Sequence, residues 1–140
     1  MAGGLPDTNV FIHAHTNDAF ATECRGCLRA LARGQVQAHL EPIILHELSY
    51  ALPRYVKQMK REDVAAYLLM VLSWTGVQGE KDAMAEAVER WWQTPSVAFV
   101  DAYLATLAVR RGCPVYTKNV RDLQGQGIEV PQPLPTEQGF

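Results

Sequence analysis

Strand-like and helix-like segments alternate along this chain of 140 residues, and the order of that alternation is the strongest constraint on its fold. Short apolar segments predict strands, whereas apolar residues spaced three and four positions apart predict helices. The predicted order is β-α-β-α-α-α-α-β-β, which is typical of a three-layer α/β/α fold with a short, largely parallel central sheet and helices on both faces. A chain of this length holds one hydrophobic core, so we expect a single domain over residues 1–140.

Local signals give the positions of these elements. Strands are predicted at residues 3–6, 36–40, 115–117 and 128–130, and helices at residues 19–33, 42–52, 63–74, 80–92 and 97–111. Gly34 and Gly112 follow two of the helices directly, which is the usual position of a helix-terminating glycine. Residues 54–94 contain no convincing strand, and the Pro-rich tail, residues 131–140, is expected to be irregular.

Composition excludes some classes of protein. The net charge is −2, so nonspecific binding of nucleic acid through bulk positive charge is excluded, although a local basic patch is not. The longest apolar run is too short to span a membrane, and the N-terminus has no signal-peptide pattern. The three cysteines are an odd number and argue against a disulfide framework, so we expect a cytoplasmic protein.

Three carboxylates fall where a ligand site of an α/β fold is expected, near strand ends and the following helices. Asp7 follows the first strand-like segment, Glu47 lies on the helix after the second, and Asp101 lies on a helical stripe that should face the core. If they converge, they suggest a hard divalent cation such as Mg²⁺ or Mn²⁺ and therefore phosphoryl chemistry. Each also has an ordinary explanation, because Asp7 could cap a helix, Glu47 could be a solvated side chain and Asp101 could complement a helix dipole.

Four segments repeat this pattern as motifs in a fixed order. They are Leu5–Ile12 (LPDTNVFI), Ile43–Leu48 (IILHEL), Phe99–Ala105 (FVDAYLA) and Val115–Leu123 (VYTKNVRDL). Together they resemble the PIN-domain nucleases, and specifically the VapC-type toxins of toxin–antitoxin pairs. The resemblance runs from residue 5 to about residue 131, which is nearly the whole chain.

The resemblance implies a role for each acidic position. Asp7, Glu47 and Asp101 would bind Mg²⁺ or Mn²⁺ as the catalytic cofactor. Thr117 would hydrogen-bond and orient an acidic ligand, and Asn9 would brace Asp7.

The fourth acidic position of the family is where this chain departs from the pattern. Asn119 stands where many members have aspartate, and Asp122 is the residue that could supply that charge instead. The departure leaves open whether the site holds one metal ion or two. Lys118 and Arg121 flank the expected site and are candidates for contacts to RNA phosphates. A second basic group, residues 54–61, could serve the same purpose or could simply be a solvated face.

The activity that the resemblance implies is endoribonuclease cleavage of RNA through a metal-activated water. The implied partners are an RNA substrate, a cognate antitoxin and a second copy of the chain in a homodimer. The alternative is a catalytically weak or inactive PIN module that binds RNA or a protein partner, and Asn119 motivates it. A haloacid-dehalogenase-type phosphatase is disfavoured because the segment Asp7–Asn9 lacks a second aspartate.

Two further features bear on these expectations. His46 adjoins Glu47, but adjacent helical residues point about 100° apart, so a role for His46 in proton transfer is disfavoured. The middle helices, residues 63–92, carry many large apolar side chains, and a dimer interface or an antitoxin groove would account for a surplus of apolar surface.

Overall fold

The computed structural model describes residues 3–137, and the chain has a mixed α/β fold. The helices within those residues are α1 (Thr8–Ala14), α2 (Ala21–Ala32), α3 (Pro42–Tyr55), α4 (Arg61–Ser73), α5 (Lys81–Gln93), α6 (Phe99–Arg111) and α7 (Val120–Gln124). The strands there are β1 (Ala38–His39) and β2 (Val77–Gln78), which pair in parallel with Ala38 opposite Val77. The predicted class, an α/β fold with a short parallel sheet, is confirmed.

The sheet is built around β1, which lies between β2 and the N-terminal segment. The backbone of Gly4 donates to Gln37 O at 3.1 Å and accepts from His39 N at 2.9 Å, which makes a parallel bridge. The strand predicted at residues 3–6 is therefore reduced to this bridge. Pro6 has no N–H to extend the ladder, so the N-terminal segment leaves the sheet just before Asp7.

β2 lies inside the segment for which no strand was predicted, so that prediction was wrong. A two-residue strand is too short to produce an alternating pattern, and its flanking glycines resemble a helix connection. The structure gives Gly76 another reason, because a Cβ at this position would lie 2.1 Å from Val36 O and 2.5 Å from Leu31 O. Only glycine allows β2 to approach the segment between α2 and β1 this closely.

The strands predicted at residues 115–117 and 128–130 do not form as regular strands. Val115 N donates to Glu129 O at 3.0 Å, but no ladder develops from this bond. Pro114 and Pro131 lie at the ends of the two segments and lack backbone donors, which limits pairing. Residues 131–137 contain no helix or strand, and the remainder of the predicted tail, residues 138–140, lies outside the described residues.

The helices differ from the predictions mainly at their ends. α3 continues through Pro53 to Tyr55, whereas it was expected to stop before that proline. Pro53 lies in the last turn of α3, where it removes a single helical hydrogen bond. α6 begins at Phe99, two residues later than expected, and ends as predicted at Gly112, which has a left-handed conformation (φ 62°). α1 and α7 were not predicted as helices because each is short.

Two groups of buried side chains hold the elements together. The main core takes residues from α1 to α6, and its largest members include Phe11, Leu45, Leu68, Met84 and Phe99. The second group, here called the satellite core, consists of Ala105, Ala108, Val115, Leu123, Ile128 and Val130. α6 contributes to both, since Ala102 belongs to the main core. The C-terminal segment after α6 is therefore attached to the domain through a much smaller apolar cluster.

The apolar side chains of α4 and α5 are mostly used inside the domain. Leu68, Val71 and Met84 are at most 1% exposed, and all belong to the main core. The expected surplus of apolar surface on these helices is therefore smaller than the sequence indicated, although Met70 and Trp92 remain exposed. Among residues 3–137, no helix has the length and apolar character that a membrane span requires.

Candidate active site

Asp7 lies at the point where the chain leaves the sheet and enters α1. It is the N-cap residue of α1, its backbone is extended, and its Oδ1 accepts a hydrogen bond from Thr8 N at 2.8 Å. The side chain is exposed. The expected brace from Asn9 is not among the contacts of the described residues, because the backbone of Thr8 supplies the hydrogen bond to Asp7.

Thr8 joins α1 to α3. Its hydroxyl donates to Glu47 Oε2 at 2.6 Å, across a separation of 39 residues in sequence. Asp7 and Glu47 therefore lie on either side of one threonine, and the two carboxylates share one region of the surface. The sequence analysis gave Thr8 no role, although its position directly after Asp7 in the first motif was a signal that could have identified it.

Asp101 lies in the first turn of α6 and is partly buried. Asn119 Nδ2 donates to Asp101 Oδ2 at 2.9 Å, and Thr117 Oγ1 accepts from Asn119 N at 2.9 Å. The contact to the acidic residue is thus made by Asn119, where the resemblance assigned it to Thr117. Thr117 acts one step further out, since it fixes the loop that presents the amide.

The environment of Asp101 favours its protonated form. Burial raises the pKa of the Asp101 carboxyl above its ordinary value, the hydrogen bond from Asn119 opposes that shift, and the nearby charge of Asp122 reinforces it. His46, on α3, acts on Asp101 in the opposite direction to Asp122. A carboxylate that is costly to ionise in the metal-free protein is stabilised when a cation binds beside it.

The acidic residues form two groups rather than one closed cage. Asp7 and Glu47 meet around Thr8, while Asp101 and Asp122 lie around Asn119. α3 packs against both α1 and α6, so it stands between the groups. Within residues 3–137, no three His, Cys, Asp or Glu side chains lie close enough together to form a metal-binding group. The single three-carboxylate cluster expected from the sequence is therefore not preassembled there.

The donor set still fits a hard divalent cation. Every side chain in the two groups presents carboxylate, amide or hydroxyl oxygen, and such oxygen atoms are the ligands of Mg²⁺ and Mn²⁺. Mg²⁺ usually keeps several waters and is held by one or two carboxylates together with substrate phosphate. Two separate carboxylate groups match that mode of binding better than they match an all-protein cage.

The basic residues divide into free and occupied ones. Lys118 and Arg121 are exposed on either side of Asn119, next to the Asp101 group. Arg61, from the other basic group, is instead held inside the fold. Its guanidinium donates to the carbonyl oxygens of Trp91, Thr94 and Val97 and lies 3.9 Å from the centroid of the Trp91 ring. This removes Arg61 from the candidate phosphate contacts.

The hydrogen bonds of Arg61 fix the segment between α5 and α6. Because Val97 directly precedes the N-cap residue of α6, Ala98, they also fix the start of the helix that carries Asp101.

Comparison with known protein families matches residues 5–123 to the PIN domain. No curated protein matches the chain. The matched segment includes Asp7, Glu47, Asp101, Asn119 and Asp122, and it ends at the last buried residue of α7.

Proposed function

Because the chain belongs to the PIN domain family, whose members are in general nucleases that need a divalent metal, we propose that it is an endoribonuclease that uses Mg²⁺ or Mn²⁺ to hydrolyse RNA phosphodiester bonds. The observation that carries this proposal is the arrangement of two carboxylate groups on either side of α3. One of them contains an aspartate, Asp101, whose pKa is raised by burial. Such a residue is typical of a site that operates with a bound cation.

In this proposal Asp7, Glu47 and Asp101 hold the metal ion. A bound divalent ion would supply an activated water and stabilise negative charge on the phosphate oxygens. Thr8 keeps Glu47 in one orientation through the 2.6 Å hydrogen bond, and Asn119 does the same for Asp101 through the 2.9 Å bond. Neither bond adds charge to the site. Their contribution is to position the carboxylate oxygens before the metal and the RNA arrive.

The remaining polar residues of the region serve the substrate. Lys118 and Arg121 bind phosphates of the RNA backbone on the Asn119 side of the site. Asp122 contributes negative charge close to Asp101, which partly replaces the carboxylate that Asn119 lacks. With fewer acidic side chains than many members of the family, the site holds one ion firmly, and a second ion arrives with the substrate phosphate.

The test is cleavage of RNA by the purified protein with Mn²⁺, with Mg²⁺ and with EDTA. Asp7→Asn and Asp101→Asn should each abolish cleavage while circular dichroism stays unchanged. Asp82→Asn is the matched control, because Asp82 also lies in the first turn of a helix but belongs to neither carboxylate group. Cleavage that survives EDTA, or that survives both site substitutions, would refute the proposal.

Two observations favour a second function, an inactive module that binds RNA or a protein partner. They are the amide at Asn119 and the lack of a three-residue metal group among the described residues. The two functions differ in one measurement. RNA that is bound in the presence of Mn²⁺ and recovered intact would support the binding module and exclude the nuclease.

We further propose that the protein acts as a VapC-type toxin in the cytoplasm, as a homodimer that is neutralised by a cognate antitoxin. The four ordered motifs support this proposal, and the exposed Met70 and Trp92 offer apolar surface for a partner. Expression of the wild-type chain should arrest growth, whereas Asp101→Asn should not. Sequencing of RNA ends after brief expression would identify the target, and light scattering would measure the oligomeric state. Unimpaired growth with high levels of the wild-type protein would refute the toxin role.

A further inference from the structure

A small cavity lies between the first turns of α3 and α6, directly beside both carboxylate groups. Its volume is about 220 Å³ less 100 Å³, that is ≈ 120 Å³ as measured, and it opens to solvent. Its lining residues are Pro42, Ile43, His46, Phe99, Val100 and Tyr103. Two of them adjoin proposed metal ligands in sequence, since His46 precedes Glu47 and Val100 precedes Asp101.

The larger of those two volumes belongs to a different cavity, at the far end of α1, which His15, Arg25 and Trp74 line. That cavity lies at the opposite end of α1 from Asp7 and Thr8. The cavity of about 120 Å³ is the one that adjoins the proposed site, and it is here called the base pocket.

The walls of the base pocket are apolar and largely rigid. Phe99 and Tyr103 lie one helical turn apart with their rings nearly parallel, 6.2 Å between centroids and 16° between planes. Phe99 is 1% exposed and belongs to the main core, so this wall is formed before any ligand binds. Ile43 and Val100 are exposed, and they form the mouth of the base pocket. The base pocket therefore offers flat apolar surfaces that solvent can reach.

One polar group of the base pocket lacks a partner. His46 Nδ1 is buried and makes no hydrogen bond within the part of the chain that the structure describes. The ring of His46 packs edge-on against Tyr50, 5.2 Å between centroids, and this contact leaves the nitrogen unpaired. A buried nitrogen without a hydrogen bond is unfavourable, so a ligand that offers a partner gains affinity there.

We propose that the base pocket receives one unpaired nucleobase of the RNA substrate, adjacent to the scissile phosphate, and that His46 reads an edge of that base. This inference rests on the proposed nuclease function. A base has a flat face for the aromatic wall and polar edge atoms for the ring nitrogen, which is how proteins recognise unpaired RNA bases. None of the six lining side chains carries a formal positive charge to attract a phosphate when His46 is neutral.

The division of the substrate follows from this charge distribution. The phosphates lie toward Lys118 and Arg121, on the Asn119 side of Asp101, while the base enters on the Val100 side. The cavity is too small for a helix of a partner protein. Two other occupants, a single apolar side chain of a partner or of a second copy of this chain, are outcomes that the experiment separates.

The experiment compares two short single-stranded RNAs, one intact and one with an abasic ribose beside the cleavage site. The wild-type protein should show a KM about 5- to 100-fold higher for the abasic RNA, the range that loss of one base–aromatic stacking contact gives. Ile43→Trp, which fills the mouth of the base pocket, should cleave both RNAs with the same high KM. Val109→Trp is the matched control, because Val109 is similarly exposed on α6 but lies outside the base pocket.

A second substitution tests the hydrogen bond. His46→Phe keeps a flat ring but removes the nitrogen, so it should weaken the preference among the four bases at that position while the KM rises less than for Ile43→Trp. Fluorescence anisotropy of the same two RNAs, measured with EDTA, reports binding without cleavage. It therefore tests the base pocket even when no RNA is cut.

The outcomes separate the base pocket from the nuclease. Cleavage with equal KM for both RNAs would overturn the base pocket and leave the nuclease standing. Base-dependent binding without cleavage would support the base pocket and refute the nuclease. Equal binding of both RNAs without cleavage would refute both. A change of oligomeric state in Ile43→Trp, with unchanged RNA binding, would overturn the base pocket in favour of an interface between copies.

Discussion

The two carboxylate groups of the candidate active site differ in what supports them. The first group, Asp7 and Glu47 with Thr8, stands on α1 and α3, and both helices are anchored in the main core. The second group combines Asp101 on α6 with Asn119 from the segment that the satellite core holds. One side of the site therefore rests on the most deeply buried part of the domain, and the other rests on a small cluster without a strand ladder.

The two groups also differ in their electrostatics. Asp7 and Glu47 are exposed, so water screens their charges. Asp101 is partly buried beside Asp122, and its pKa is raised. The comparison teaches that the second group is both the less stable and the more charge-sensitive part of the site. We therefore expect local opening, metal dependence and pH dependence to arise mainly there.

The largest expected effect is on the support of the second group. Leu123→Ala removes a fully buried side chain of the satellite core and should destabilise its surroundings by about 2–5 kcal/mol. Hydrogen exchange should rise in α7 and the adjoining loops while α4 stays protected. Leu52→Ala, in the main core, is the matched control and should raise exchange throughout. Equal loss of protection in α4 for both variants would show that the two cores open together.

The next effect concerns Asp101 itself. Asp101→Asn keeps an oxygen that can accept from Asn119 but removes the charge, so it should lower cleavage by about 100-fold or more. Without metal, the same change should raise the free energy of unfolding at pH 7. The folded pKa of Asp101 is raised above 3.8, so the ionised carboxylate weakens the fold as pH increases through that pKa.

Urea unfolding at two pH values checks the sign. The stability gain of Asp101→Asn should be present at neutral pH and should disappear below pH 3.8, where the wild-type carboxyl is protonated in both states. Mn²⁺ should raise the unfolding midpoint of the wild type more than that of the variant. A variant that is less stable than the wild type at pH 7 without metal would contradict the assigned cost of this charge.

A smaller effect is expected in the first group. Thr8→Ala removes the hydroxyl that orients Glu47 and should reduce cleavage by about 10- to 100-fold, mainly by raising the Mn²⁺ concentration needed for half-maximal rate. Thr8→Ser keeps the hydroxyl and should restore most of the activity. If Thr8→Ser is as impaired as Thr8→Ala, the hydrogen bond to Glu47 is not what matters at this position.

The smallest effect is expected from Asn119→Asp. The substitution replaces a donor to Asp101 by a second carboxylate, so without metal it should raise the pKa of Asp101 further. With metal, the added charge should strengthen Mn²⁺ binding, by less than about tenfold because the position is exposed. Asn119→Ala, which removes the donor without adding charge, is the control. Weaker Mn²⁺ binding in Asn119→Asp than in Asn119→Ala would show that the amide itself serves the metal.

The sequence predicted the features that depend on many residues or on a strong local signal. The α/β class and the short parallel sheet followed from the alternation of elements, and Gly112 ended α6 as expected because glycine adopts the left-handed conformation readily. The match to the PIN domain supports the family that the ordered motifs indicated.

The sequence did not predict features that depend on a single tertiary contact. β2 is two residues long and owes its place to the close approach at Gly76. The hydroxyl of Thr8 meets Glu47 only because α1 packs on α3, and Arg61 reads as a surface cation until its three carbonyl partners are known. The metal ligands assigned to Asp7, Glu47 and Asp101 stay predictions that the substitutions above test.

The side chain of Arg61 has a consequence for how the protein responds to acid. A guanidinium keeps its proton at every pH at which RNA is stable, so the hydrogen bonds to Trp91, Thr94 and Val97 hold across that range. Asp101, a few residues further along, gains or loses its proton within it. Acidification therefore alters the charge that a cation meets while the scaffold that carries this charge keeps its shape.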